Sequence, residues 1–536
     1  MKLFKKAVII ALALALALTT LAGCGEEVIS IDGSGGKLTY WALPSGTTWC
    51  SSYNDLKSLQ VISEKTGIEV EFIHPSSSRW EEQFNIMIAS GEYPDIIFQN
   101  NWNNAYNGGL PGIYNDGIII DLTEYVDGGK MPNFKKLLDE NPLSNLNIRT
   151  DDGKIFQIGT IRDSAAMNAS TGHQIRKDWL EKLNIDVPKT MTDWYNMLTA
   201  FKTKDPNGNG EADEIPYGDF TSQNFTNFAA AYRTSTSYYK KDGKLVYGPV
   251  TPEYKAFITE MNKWYKEGLI DPEFAAISRA NLSAKVTTDK VGSYTYYIGS
   301  AMGSYLTAMA DSNPEFDLVG APWPVCDADG VQYNPIDVST LDSGNSGAVV
   351  TTKCKDPNLA VKYLDYLFSE EATIIQNWGV EGETYEVVDG QYKYLDSIMN
   401  NPEGKQPTEL LGKTIFPSLG APVKYWLYDA YSQVQFAWPQ QKEATQVWAQ
   451  GENDLTTIGL KMTAEETDRR SQILTDMDTY RAEMYTKFII GKEPLSKWDE
   501  YVRKMNEMGL PELMQIYETA HERYTKMAKD LGVEVK

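Results

Sequence analysis

Four cysteines and three histidines are all that 536 residues contain, and base is scarce: 50 Lys and Arg stand against 73 Asp and Glu. Each shortage excludes something. His74, His173 and His521 lie far apart, without the spacing of a His-rich zinc site. Cys50, Cys326 and Cys354, left after Cys24, are too few and too scattered for a disulfide framework, although one bridge among them is open. A net charge of −23 excludes nucleic-acid partners, which need basic patches. No apolar run long enough to span a bilayer follows the first 23 residues. Also missing are a G-x-S-x-G elbow, an H-E-x-x-H pair and a P-loop.

The start of the chain is "MKLFKKAVIIALALALALTTLAGCGEE". Lys2, Lys5 and Lys6 precede an apolar run, Ala7 to Leu18, too short to cross a membrane. This is the layout of a secretory signal, residues 1–23. It ends in Leu21-Ala22-Gly23-Cys24, which resembles a bacterial lipobox and implies cleavage before Cys24 and lipid on its thiol. Cleavage leaves 513 residues; the removed segment holds three Lys and no acid, so the net charge becomes −26. A chain of this length needs two or more cores. Residues 24–36, polar and Gly-rich, read as a tether.

Strand and helix signals then alternate. "KLTYWAL" (37–43) reads as a strand stopped by Pro44-Ser45-Gly46. Asp55 to Thr66 reads as a helix capped by Gly67, and "IEVEFIH" as a half-buried strand. A capping box at Ser78 and Glu81 opens a helix ending at Gly91, and "PDIIFQ" has the composition of a buried strand. Such alternation predicts an α/β layer with parallel strands. Further strands are expected at 153–159, 291–299 and 316–322. Helices are expected at 178–183, 191–203, 252–267 and beyond Asp356-Pro357, and from Met462 the pattern is mostly helical, broken at Pro494 and Gly509.

"TKDPNGNGEADEIP" (203–216) sets side-chain oxygens at alternate positions: Asp205, Asn207 and Asn209. Gly210 follows at the sixth position, where an EF-hand loop bends. Glu211 offers its carbonyl, and Asp213 and Glu214 further carboxylates. Pro216 stands where an EF-hand has its bidentate Glu. The pattern points to structural calcium; the competing reading is a turn rich in Asp, Asn and Gly.

Several motifs in order resemble bacterial ABC-transporter extracellular solute-binding proteins of the large lipoprotein type associated with oligosaccharides. They are Cys24, "SGEYPDII" (90–97), "IRKDWLEKL" (175–183), residues 187–216 and "NWGVEGETYEVVDG" (377–390). The resemblance implies a two-lobe, type II periplasmic-binding-protein-like α/β fold with a hinge and a helical C-terminal part. One lobe would take 37–146 plus 291–355, the other 147–290 plus 356–536. It implies a lipid-anchored, extracellular monomer that closes on a solute and passes it to a membrane permease, without catalysis.

Ligands of open α/β sheets sit beyond the carboxyl ends of strands. The residues there are Trp41; Gln99, Asn101 and Trp102; Tyr297, with Tyr296 and Ser300; Trp323; and Trp378 and Trp438 in later loops. Aromatic faces cover the C–H faces of sugars, and amides satisfy hydroxyls. Core packing is the competing role for every aromatic, and the weightier one for Trp41, Tyr297, Trp378 and Trp438. Arg176 could reach the cleft or pair with Asp178, and the structural role is the weightier. The rival function is a secreted glycoside hydrolase, acidic and aromatic too, using two carboxylates about 5–9.5 Å apart.

Overall fold

In the computed structural model residues 36–43, 50–218, 224–337, 342–403, 405–416 and 423–535 are described. The signal segment, Cys24, the tether up to residue 35 and the Pro44-Ser45-Gly46 stop lie outside them. Among the described residues no helix is long and apolar enough to cross a membrane. Cys50, Cys326 and Cys354 are buried free thiols.

Fourteen strands are described: β1 Gly36–Trp41, β2 Ile68–Ile73, β3 Ile96–Gln99, β4 Ile158–Arg162, β5 Thr171–Arg176, β6 Ile215–Gly218, β7 Tyr238–Lys241, β8 Lys244–Tyr247, β9 Val291–Tyr297, β10 Leu318–Gly320, β11 Asp342–Val350, β12 Tyr385–Val388, β13 Gln391–Tyr394 and β14 Tyr425–Trp426. Ten of them build two sheets, ordered β14-β4-β11-β3-β1-β2 and β10-β5-β9-β6. β7–β8 and β12–β13 are separate hairpins.

The opening β-α-β-α-β run forms as its periodicity predicts. β1 lies between β2 and β3, parallel to both. β2 turns Ile68, Val70 and Phe72 towards the core and exposes Glu69 and Glu71, as alternation requires. β3 is buried throughout: Ile96 and Phe98 enter one core and Ile97 the other. Gly67 and Gly91 end the helices Lys57–Thr66 and Trp80–Ser90 at φ 67° and 72°, a conformation a Cβ would strain.

Two local expectations fail. The helix Trp80–Ser90 has Arg79 at its N-cap and no side-chain cap. Ser78 falls one residue too early, and its hydroxyl instead meets that of Ser76 at 3.1 Å. The strand expected at 153–159 runs later, Ile158–Arg162, because Thr150 accepts from Gly153 and donates to Lys154 in a turn. By contrast, Thr190 and Asp193 form a complete capping box on Met191–Thr203, which buries Trp194, Met197, Leu198 and Phe201. Asp356 likewise caps Pro357–Tyr366. The C-terminal helices Ala464–Ile490, Trp498–Glu507 and Leu510–Asp530 break where expected.

Strand pairing redraws the expected division. β9 and β10 were expected with the first lobe but pair with β5, at Thr171↔Tyr297 and Gly320↔Gln174. β4 and β14 were expected with the second lobe but complete the sheet of β1, with Ile161 opposite Tyr425. Ala360 and Leu364 of helix Pro357–Tyr366 pack with Leu38 and Phe72. A second core joins Trp179, Trp194 and Trp264 to Met477 and Phe488 of the C-terminal helices, and a third holds Tyr294, Leu318 and Trp448. The chain therefore passes between the sheets three times, over 163–170, 321–341 and 427–438.

Candidate functional site

Strand direction locates the seam. β1 and β3 run parallel and β14 runs parallel to β4. β11 runs antiparallel to both β3 and β4, so all four of the others point the same way. Their carboxyl ends are Trp41, Gln99, Arg162 and Trp426. In the other sheet β6 and β9 run together and β10 is antiparallel to β5, so Gly218, Tyr297 and Gly320 end on one edge. The crossing at 163–170 leaves from Arg162 and enters the second sheet at Thr171, opposite Tyr297, while that at 427–438 leaves from Trp426 and leads into helix Pro439–Trp448, whose Gln441 donates to Ile298 O at 3.0 Å. Both sets of carboxyl ends thus meet at the crossings, where open α/β sheets bind ligands.

Tyr297 is the prominent side chain there, 54% exposed, while its neighbour Tyr296 is buried. Opposite it in the chain path, Arg162 donates to Asn168 Oδ1, both half-buried. Asp163 ties two crossings together: its amide donates to Trp426 O at 3.0 Å and its carboxylate accepts from Tyr428 N at 2.8 Å. Phe436, on the same crossing, packs against both the first and third cores. Trp438 is half-buried and donates from Nε1 to Thr307 Oγ1 at 3.0 Å. Gln99 is buried with no partner for its Nε2. A buried amide donor left unmade costs about 1–3 kcal/mol, so a ligand oxygen would be welcome there.

The other expected ligand residues are placed differently. Trp102 is wholly buried, its Nε1 donating to Gly347 O at 3.0 Å, and Trp323 is wholly buried with Nε1 on Trp448 O at 2.9 Å. Trp41 is 8% exposed in the core beneath β1, and Trp378 is 2% exposed, stacked on Tyr392. Asn101 is exposed but spent as an N-cap, accepting from Asn104 N at 3.3 Å. These four rings are core side chains: a position at a strand end or in a loop leaves the side-chain direction open. Tyr297 departs the other way, open where core packing was the weightier reading. Ser300 is half-buried in the turn after β9. Arg176 is structural as expected, 1% exposed, paired with Asp178 and Asp289 and held between the rings of Trp179 and Phe316. Arg162, Asn168, Tyr428 and Phe436 were not singled out, since nothing local marks a crossing between sheets.

The loop after helix Met191–Thr203 coils as its spacing suggests. Asp205 Oδ1 and Asn207 Oδ1 accept from Asn209 N, both at 3.1 Å, Asp205 Oδ2 from Gly210 N at 3.0 Å, and Asn209 Oδ1 from Glu211 N at 2.7 Å. Gly210 stands at φ 80°, the bend its position predicts. Asp213 is engaged by Lys290 at 2.9 Å and by the amides of Asn207 and Asn209, and Lys290 holds its pKa down. Glu214 is 8% exposed with Oε1 unpartnered; burial pushes its carboxyl up, and the Asp205 and Asp213 carboxylates beside it add to this. Among the described residues no three His, Cys, Asp or Glu side chains are grouped closely enough to hold a metal. The donor types suit a hard cation, and the unpartnered Glu214 oxygen beside Asp205 is the feature that fits one.

A family model described as bacterial extracellular solute-binding protein matches residues 57–374. The chain is 27% identical over 500 residues to the fructooligosaccharide ABC transporter substrate-binding protein FusA of Streptococcus pneumoniae serotype 4, covering 88% of this chain and 87% of that one. It is 28% identical over 530 residues to lipoprotein LipO of Bacillus subtilis, covering 94% and 96%. Among solved structures, an EF-hand mutant of FusA in complex with fructo-nystose superposes with a TM-score of 0.73 at 25% identity, covering 91% of this chain and 99% of that one. Alginate-binding protein AlgQ2 without calcium ion gives 0.74 at 22% identity, covering 93% and 100%.

Proposed function

From the premise that this chain belongs to the bacterial extracellular solute-binding proteins, we propose that it captures an oligosaccharide in the seam between its two lobes. It then delivers the sugar to the permease of an ABC importer, as a monomer held outside the cell by lipid on Cys24. The observation that carries this reading is the meeting of strand carboxyl ends from both sheets at Tyr297, which is more than half exposed in an otherwise buried row. The names of its relatives supply the ligand class: FusA is a fructooligosaccharide binder.

Tyr297 and Trp438 offer ring faces to sugar C–H surfaces, while Gln99, Arg162 and Asn168 offer donors and an acceptor to hydroxyls. A ligand touching both lobes binds the closed form better and shifts the population towards it. Moving the equilibrium from 1:99 to 99:1 takes roughly 10⁴-fold tighter binding to the closed form. A structural calcium ion would be held by Asp205, Asn207, Asn209 and Glu214, with the Glu211 carbonyl and Asp213. Its charge offsets the converging carboxylates and pins the loop to the second lobe.

Titration with fructooligosaccharides of two to six units tests the reading through intrinsic tryptophan fluorescence. Saturable change with no fructose released is expected, and Tyr297→Ala should weaken binding about tenfold, the cost of losing one aromatic anchor. Released fructose would favour the hydrolase, and silence across fructans and other glycans would reject a sugar binder.

A further inference from the structure

A second space lies away from the seam residues: a cavity of about 630 Å³ whose wall includes none of Gln99, Arg162, Tyr297 or Trp438. It falls within the size range of small-molecule sites, about 300–1,000 Å³. One wall is Leu143 and Asn147, on a helix (Pro142–Ile148) whose Ile148 belongs to the first core. The rest of the wall comes mainly from the β7–β8 hairpin, Tyr333, the 453–459 loop and Tyr524 of the last helix. That helix is rooted in the second core through Leu513 and Tyr517. The cavity is therefore built from both lobes. Two hydrogen bonds join the lobes at this helix: Lys461 donates from Nζ to Asn147 O at 3.0 Å, and Tyr524 donates to Asn147 Oδ1 at 3.1 Å.

Its chemistry is mixed and nearly balanced. Three basic and four acidic side chains line it, so neither an anion nor a cation is selected. Asn453 Oδ1 is buried there without a hydrogen-bond partner, an acceptor lacking a donor. Lys240 lines the rim, exposed and without an ion-pair partner among the described residues. Donors, acceptors and tyrosine edges without net charge suit a neutral polyhydroxyl compound. The 321–341 crossing supplies Tyr333 and Asp337 to the wall, and Asp342 already lies opposite Ile161, next to Arg162 of the seam. Five residues of chain span at most about 17 Å.

We propose that this cavity is a second pocket for neutral polyhydroxyl units, taking the far part of an oligosaccharide longer than the seam alone holds. This rests on the sugar-binding reading. Calorimetric titration with fructooligosaccharides of two to six units tests it, using Leu143→Trp to fill the cavity and Asn453→Leu to remove the unpartnered acceptor. Affinity of the natural protein should rise with length. Leu143→Trp should cost at least tenfold with six units and leave two units unchanged, and Asn453→Leu about threefold in the same pattern. If both variants melt like the natural protein and match its affinity at every length, the pocket is refuted while the seam stands. If the natural protein binds no member of the series, the sugar reading itself fails and this one with it.

Discussion

His173 shows what a single buried side chain does to the whole. It lies fully buried among the rings of Trp194, Tyr217, Phe228 and Trp323, with Nδ1 on Thr295 Oγ1 at 2.6 Å and Nε2 without a partner. Burial pushes its pKa down to about 3. A histidine neutral in the fold but titrating near 6.5 when unfolded contributes stability that is complete above 6.5 and lost as pH falls towards 3. The loss is about 2 kcal/mol between pH 6.5 and 5. Asp365, pushed up to about 6 by burial while it accepts from Phe134 N, acts oppositely: its share of stability falls as pH rises through 6. Melting temperature followed from pH 7 to 5 should therefore fall less steeply in His173→Gln than in the natural protein, whatever its starting value. Parallel curves would show that this imidazole takes up no proton on unfolding.

At the scale of elements, the loop 205–214 is the sharpest test, because all the ligands proposed for its cation lie within ten consecutive residues. Chelator should lower the melting temperature by several degrees, and Asp205→Ala should melt lower and lose that response. Identical curves with and without chelator would remove the cation from the account. Signals of this reach were legible in the sequence. The box at Thr190, the glycines at 67 and 91, the cap at Asp356 and the buried stripe from Trp194 to Phe201 all depend on residues within a turn of one another. Ser78 shows the limit of even these: a one-residue shift of the helix start leaves a correct-looking motif with nothing to cap. Trp102, Trp323 and Trp378 show a second limit. The strand end before Trp102 and Trp323 and the loop at Trp378 were readable, but whether each ring turns inwards is decided by Gly347, Trp448 and Tyr392, beyond the reach of a local motif.

At the scale of the molecule, two lobes were legible from length and motifs, but the assignment of strands to them was not. The run at 291–299 was readable as a strand, yet nothing in "VGSYTYY" states that it will lie beside Thr171–Arg176, and nothing in "YW" marks a strand that will edge the first sheet. The crossings, and with them Arg162, Asn168 and Phe436, became visible only once pairing was known. Closure belongs to this scale. Scattering in saturating fructooligosaccharide should give a smaller radius of gyration than without sugar, and an unchanged radius in a protein that demonstrably binds would rule out jaw-like motion.

Those three passages of the backbone also govern how the chain must come into being. The first sheet takes β14 from Tyr425–Trp426, and the second core needs helices that end only at Asp530. Neither half can therefore be finished while the chain is still being made, and the polypeptide stays incompletely folded until almost its whole length has emerged. If the chain is exported as its family's extracellular setting suggests, that delay would keep it threadable through a membrane.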